Sequence, residues 1–206
     1  MLKVYGRRNS VNVQKVMWVI GELGLAHERL DVGGAFGQND QDWYLALNPM
    51  GRVPVLGDDG YVLWESHTII RYLARQYADG AWYPGDAKAC GEVDKWMDWM
   101  QAFLLPATFA AFWGLIRTPE DERDMDAIRA SSTESAKLFG ILDAHLRGRD
   151  YMTGDQISIA DVPVGALTYR WYGLDVEHPD YPALRAWYDC LAQRPAFQEH
   201  VMLPIT

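Results

Sequence analysis

Apolar positions along the first part of the chain switch repeatedly between a short continuous run and a helical period. Leu2–Tyr5 forms a short apolar strand, and a polar loop, 6–10, follows it. Val13, Val16, Met17, Val19 and Ile20 then recur at helical spacing until Gly24, a residue that ends helices readily. A second strand over 27–32 runs into the glycine-rich loop Gly33-Gly34-Ala35-Phe36-Gly37, and a short helix is expected near 41–47. Strands at 53–56 and 61–63 are joined by the turn Asp58-Asp59-Gly60, and a helix over 65–77 carries Ile69, Ile70, Leu73 and Tyr77 on one face. The order is βαβαββα. Downstream the period is helical throughout, with helices expected at about 87–116, 122–147, 159–172, 182–192 and 195–201. The fold class is therefore an α/β unit followed by an all-α unit.

Charge divides the chain at the same place. Residues 1–78 carry eight basic and eight acidic side chains, so the whole net charge of −9 falls on residues 79–206. The stretch 79–86, Asp-Gly-Ala-Trp-Tyr-Pro-Gly-Asp, is dense in turn residues and reads as the linker between units 1–78 and 87–206. An acidic surface repels polyanions, which argues against nucleic acid as a partner. Cys90 and Cys190 stand alone, so they build neither a disulfide framework nor a zinc cluster. The N-terminus lacks the apolar core of a signal peptide. The apolar run 102–116 contains Pro106 and Thr108, and at ~1.5 Å per residue spans roughly 22 Å, less than a ~30 Å hydrocarbon layer. A buried helix of a cytoplasmic protein, with no membrane partner, is the expectation.

Candidate chemistry is easier to remove than to add. The five histidines show no metal-ligand spacing, and there is no nucleophile elbow or phosphate loop, so no metal is expected. Ser158-Ile159-Ala160-Asp161 reads as a capping box, with Ile157 and Val162 as its hydrophobic staple, and so as structure instead of catalysis.

Val53-Pro54 opening the third strand, Glu65-Ser66 opening a helix, and Ser158-x-x-Asp161 in an all-helical second half together resemble the cytosolic glutathione transferase family, in its serine-type bacterial members. The resemblance covers essentially the whole chain. It implies a thioredoxin-like N-terminal domain that binds glutathione as co-substrate and a helical domain that supplies a pocket for the electrophile. It further implies a cis bond before Pro54, turning the backbone of Val53 outward to pair with the cysteinyl unit as an added strand would. A strand-opening proline with an ordinary trans bond is the alternative.

Glu65 and Ser66 stand at a helix start, where free N–H groups suit a carboxylate. By the resemblance, Ser66 meets the γ-glutamyl carboxylate and Glu65 faces its ammonium; the alternative is a plain cap. Arg52, Gln38 and Asn39 match places where the family touches the glycyl end, although a solvated cation and turn-forming amides account for them equally. His67-Thr68 replace the family's small apolar residues, a change expected to alter packing more than chemistry. By the resemblance, Ser10 falls where serine-type members place their catalytic hydroxyl, with Asn12 as its rival and a plain N-cap as the alternative; the loop is followed by a helix N-terminus, and residues 1–21 carry four cations and no acid. Phe103, Phe109, Phe112 and Trp113 read as helix core, or alternatively as pocket lining together with Arg117, Tyr169 and Trp171.

Three functions fit. One is conjugation of glutathione to small hydrophobic electrophiles, a detoxification chemistry. Another is a glutathione-dependent isomerase or a peroxide or disulfide reductase, disfavoured for thiol exchange because the first loop has no cysteine. The last is a non-catalytic binding module. A homodimer is expected, both from the resemblance and because Trp96, Met97, Trp99 and Met100 cannot all face one core stripe.

Overall fold

A computed structural model describes residues 1–206. Strands β1 (Leu2–Tyr5), β2 (His27–Leu30), β3 (Val55–Asp58) and β4 (Tyr61–Trp64) form one sheet in the order β2-β1-β3-β4. β1 pairs parallel with β2 through helix α1 (Val11–Glu22), whereas β3 runs antiparallel to both of its neighbours. A single turn of helix at Gly34–Phe36 and the short α2 (Asp42–Leu45) lead to β3, and α3 (Ser66–Tyr77) follows β4. This is a thioredoxin-like sheet. β3 starts two residues later than the sequence pattern suggests because Pro54 has no N–H to give the ladder. The peptide bond between Val53 and Pro54 is cis.

Helices α4 (Ala87–Trp99), α5 (Leu105–Phe112), α6 (Met125–Leu146), α7 (Asp161–Tyr172), α8 (Pro182–Ala192) and α9 (Pro195–His200) make up the rest. α4 and α5 are one continuous rod, because a wide π turn at Met100–Leu104 joins them just before Pro106, and a second π turn at Trp113–Arg117 extends the rod beyond α5. The rod Ala87–Arg117 is long and apolar enough to cross a bilayer by length and composition alone. It nonetheless ties itself to the sheet unit: Arg71 of α3 pairs with Asp94 at 2.7 Å and Asp98 at 3.0 Å.

The core runs through both halves. α1 is buried on every side, packed between α3, α7 and α9. Trp18 meets Phe197 edge-on at 4.7 Å, and a side chain at Gly165 would collide with Leu191 and press on Trp18. Glu22 accepts from Trp18 Nε1 at 2.9 Å and from both arms of Arg194 at 2.6 Å, closing a bidentate pair across the two halves. Trp82 and Tyr83 of the turn-rich 79–86 stretch are also buried, and Trp82 O accepts from the N–H of Ile159 at 3.0 Å.

Ser158 and Asp161 make the reciprocal bonds of a capping box, with Ser158 N donating to Asp161 at 2.9 Å and Ala160 N donating to Ser158 Oγ at 3.2 Å, but the regular helix begins only at Asp161, with Ala160 as its N-cap, two residues later than expected. The fully buried Asp161 carboxylate also accepts from Met152 N at 2.8 Å and from Trp187 Nε1 at 2.9 Å. Burial outweighs these donors and pushes its acid up to about 6.

Two expectations about exposed aromatics need correction. Met97 and Met100 are fully buried in the core, whereas Trp96 and Trp99 are half-buried and meet edge-on at 5.4 Å, so the methionines are not available to a partner. Conversely, Phe103, Phe109 and Trp113 are not core: each is about half exposed, because the rod presents them outward or into a cleft.

Candidate active site

Two cavities meet beside the N-terminus of α1. One is a polar cleft of about 550 Å³ between the loops of the sheet unit; the other is a more apolar cavity of about 290 Å³ under α5 and α7. Arg7, Ser10, Asn12, Arg52, Trp113 and Arg117 line both, so they mark the junction.

The loop that carries Ser10 is fixed from below. Arg29 holds the carbonyl of Gly6 at 2.8 Å and is itself clamped by Asp31, and the N–H of Arg7 bonds Val32 O at 2.9 Å. Ser10 is the N-cap of α1, yet its hydroxyl makes no capping bond and has no other protein partner. The first turn of α1 holds no acid, so its free N–H groups and positive end point at the junction uncompensated.

Asn12 is oriented by its neighbours. Its Oδ1 accepts from Lys15 Nζ at 3.0 Å and lies 3.4 Å from Ser66 Oγ. With the oxygen engaged, the amide's two N–H donors are left for the cleft. Lys15 is wholly buried, and that burial, aided by Arg170, brings its ammonium down to about 7 against the pull of Glu65. Its second partner is His67 Nε2 at 3.1 Å. Burial, then Lys15 and Arg71, hold the His67 imidazole down to about 2, so it is neutral and accepts from Lys15. His67 therefore reaches the site through Lys15 and Asn12, a connection beyond the change in packing that was expected of it.

The far end of the cleft is built on hydrogen-bonded loops. Arg52 O accepts from Tyr44 Oη and Asn48 Nδ2, both at 2.8 Å, and Gly51 O accepts from Asn39 Nδ2 at 2.9 Å. Burial raises the Tyr44 phenol to about 12, which keeps it a donor. Glu65, at the N-cap of α3, has φ 71° and ψ 113°, a conformation an L-residue adopts only under strain. Such strain is typical of a side chain positioned for contact, and Glu65, Ser66, Val53, Pro54, Asn39 and Arg52 all line the cleft.

Not every expected residue is gathered. Gln38 is exposed outside the cleft. Phe109, Trp113 and Arg117 line the apolar cavity, whereas Tyr169 does not: its hydroxyl donates to Leu203 O at 2.7 Å and its ring packs on Phe197. The neighbouring Arg170 and Trp171 occupy the wall instead. Arg7, Lys15, Asn48, Gln101 and Arg170 were not legible as site residues. The one sequence signal for any of them was the excess of cations in residues 1–21, which includes Arg7 and Lys15.

Known proteins agree with this geometry. Residues 1–75 match the family described as glutathione S-transferase, N-terminal domain, and residues 94–195 its C-terminal domain. The chain is 38% identical over 208 residues to glutathione S-transferase GstB of Escherichia coli, covering all of both chains. It is 31% identical to glutathione S-transferase 3 of Zea mays, over 97% of this chain and 93% of that one. Its structure is similar to that of the theta class glutathione S-transferase from Xanthomonas axonopodis pv. citri solved with glutathione bound, with TM-score 0.96, 44% identity, and coverage of 100% and 99%. A thioredoxin-like sheet, a helical second half and a cleft at the start of α1 and α3 thus agree with two matched domains: the chain belongs to the glutathione S-transferase family.

Proposed function

We propose that this transferase conjugates the sulfur of glutathione to small electrophiles at the junction of the two cavities. The observation that carries the reading is that Ser10, Asn12 and the open end of α1 converge where the polar cleft meets the apolar cavity. Glutathione lies along the cleft, its γ-glutamyl carboxylate at Ser66 and the N-terminus of α3, its ammonium toward Glu65, its cysteinyl unit beside Val53, and its glycyl carboxylate near Arg52. The Ser10 hydroxyl donates to the sulfur and holds it as thiolate, with the α1 dipole adding to the effect. Asn12 contributes a second donor. Neither cysteine lines the cleft, which supports conjugation over thiol exchange. Both cysteines are free, in keeping with a cytoplasmic setting.

A homodimer fits the unpaired edge of β4, where Tyr61, Val62 and Trp64 stay exposed. Light scattering that returns a 23.4 kDa particle at micromolar concentration refutes the dimer. For the chemistry, steady-state assays with glutathione and an aryl halide, then with a hydroperoxide, separate the readings. Turnover is expected with the aryl halide; turnover with the peroxide alone would move the assignment to reduction.

A further inference from the structure

The apolar cavity is unusual in its charge. Arg7, Arg52, Arg117 and Arg170 all line it, and no aspartate or glutamate does. None of the four is in an ion pair with an acidic side chain, in a protein whose net charge is −9. Their surroundings hold them in place by other means. Arg170 donates to Asn9 O at 2.7 Å and stacks over Phe112 at 4.6 Å. Arg117 donates to the main-chain oxygen of Thr206, the last residue of the sequence, whose carboxylate answers part of its charge, and lies over the same ring at 5.5 Å and over Trp113 at 5.8 Å. The stem of Arg7 crosses Gly34, where even a methyl group would sit 2.8 Å from its Cδ.

Bringing these cations together is costly. Burial, then Arg117 and Arg7, lowers Arg170 to about 10, and burial with Arg117 lowers Arg7. Stacking on a ring orients a guanidinium without satisfying its charge. Glutathione has two carboxylates, and Ser66 with the α3 N-terminus and Arg52 already answer them in the reading above. Arg7, Arg117 and Arg170 are in excess of what glutathione requires.

We infer that the co-substrate is a small electrophile bearing its own negative charge, a carboxylate on a short chain or a single ring, bound by Arg7, Arg117 and Arg170 next to the glutathione sulfur. The inference rests on the glutathione reading and narrows its small electrophiles to anionic ones. A cavity of about 290 Å³ suits such a size. In the reaction the thiolate lone pair forms the new C–S bond while the carbon–halogen bond breaks, and the halide leaves with its electron pair. The step needs no oxidant, and the carboxylate remains paired with arginine throughout.

Binding and turnover test this separately. With S-methylglutathione filling the cleft, tryptophan fluorescence is titrated with dinitrobenzoate and with uncharged dinitrobenzene. The acid is expected to bind at least about tenfold tighter, and added salt to erode the difference. With glutathione, kcat/KM is compared for chlorodinitrobenzoate and chlorodinitrobenzene. Arg117→Gln and Arg170→Gln should each lower the acid-to-neutral ratio about tenfold, whereas Arg170→Lys, which keeps the charge, should lower it less. Equal binding of the two probes, or a ratio unmoved by both Gln variants, overturns the inference and leaves the glutathione reading intact. Failure of S-methylglutathione to bind overturns both.

Discussion

Replacing Ser10 with alanine removes one hydroxyl from a position where its loss can be read directly. In the folded protein that hydroxyl has no partner, so the substitution orphans no protein group and leaves the N–H groups of α1 as they are. A free thiol has a pKa near 8.5. A hydrogen bond to a charged acceptor contributes about 1.5–3 kcal/mol, and an uncompensated helix N-terminus about 0.3–1 kcal/mol. At 1.36 kcal/mol per unit, the two together lower the bound thiol by about 1.5–3 units, and the hydroxyl supplies most of that. Bound glutathione is therefore expected to titrate at about pH 5.5–7 in the parent protein and about 1–2 units higher in Ser10→Ala. The assay is the thiolate ultraviolet band of the glutathione complex followed from pH 5 to 9. Asn12→Ala is expected to move the midpoint by less than a unit. Asn12→Asp is the sharper control, because it exchanges two donors for a carboxylate facing Lys15 and should raise the thiol pKa. An unchanged midpoint in Ser10→Ala with a large rise in Asn12→Ala refutes the assignment and gives the role to the amide that Lys15 orients.

Other outcomes follow from the same structure. Ser66→Ala should weaken glutathione binding by about 10- to 150-fold in calorimetry, the range for one charge-assisted hydrogen bond; unchanged affinity in a folded variant would remove Ser66 from the site. Asp161→Ala leaves the buried N–H groups of Met152, Ser158 and Trp187 without acceptors, and urea denaturation should record a loss of about 3–5 kcal/mol, with a loss below 1 kcal/mol refuting the account. Lys15 falls from an ordinary 10.5 to about 7 on folding, so between those values the unfolded chain holds the extra proton and stability rises with pH. Parent stability, measured against Lys15→Met, should therefore improve steadily from pH 7 to 10, and a constant gap would show that Lys15 is not buried as described.

Much of the architecture was readable from pattern alone. Periods of apolar residues give the βαβαββα order and each of the later helices, because a strand or helix must bury one face and its sequence records which positions do so. The capping residues Ser158 and Asp161 and the turn Asp58-Asp59-Gly60 are local devices, satisfied by neighbours a few positions away, and so equally visible. Helix α1 marks where that legibility ends. Its apolar stripe was plain, but Gln14 and Lys15 are buried too, since α3, α7 and α9 surround it, and a stripe cannot announce a helix enclosed on all sides.

The site divides along the same line. Ser10, Asn12, Glu65 and Ser66 stand at helix starts, where an exposed set of N–H groups is a property of the local chain, and sequence points to them directly. The choice between Tyr169 and Arg170 had no such guide. Consecutive helical residues differ by about 100° in direction, so the rotation of α7 against α1 decides which of them meets the cavity. Packing turned Tyr169 to Leu203 and Arg170 to the carbonyl of Asn9, 161 positions away. The Lys15–His67 contact is likewise a meeting across 52 positions, set by how α1 lies on α3. Sequence alone determined the elements, their caps and the donors at helix ends. Only the tertiary structure decided which cations gather with no acidic side chain beside them, because they become neighbours through the packing of elements remote in the chain.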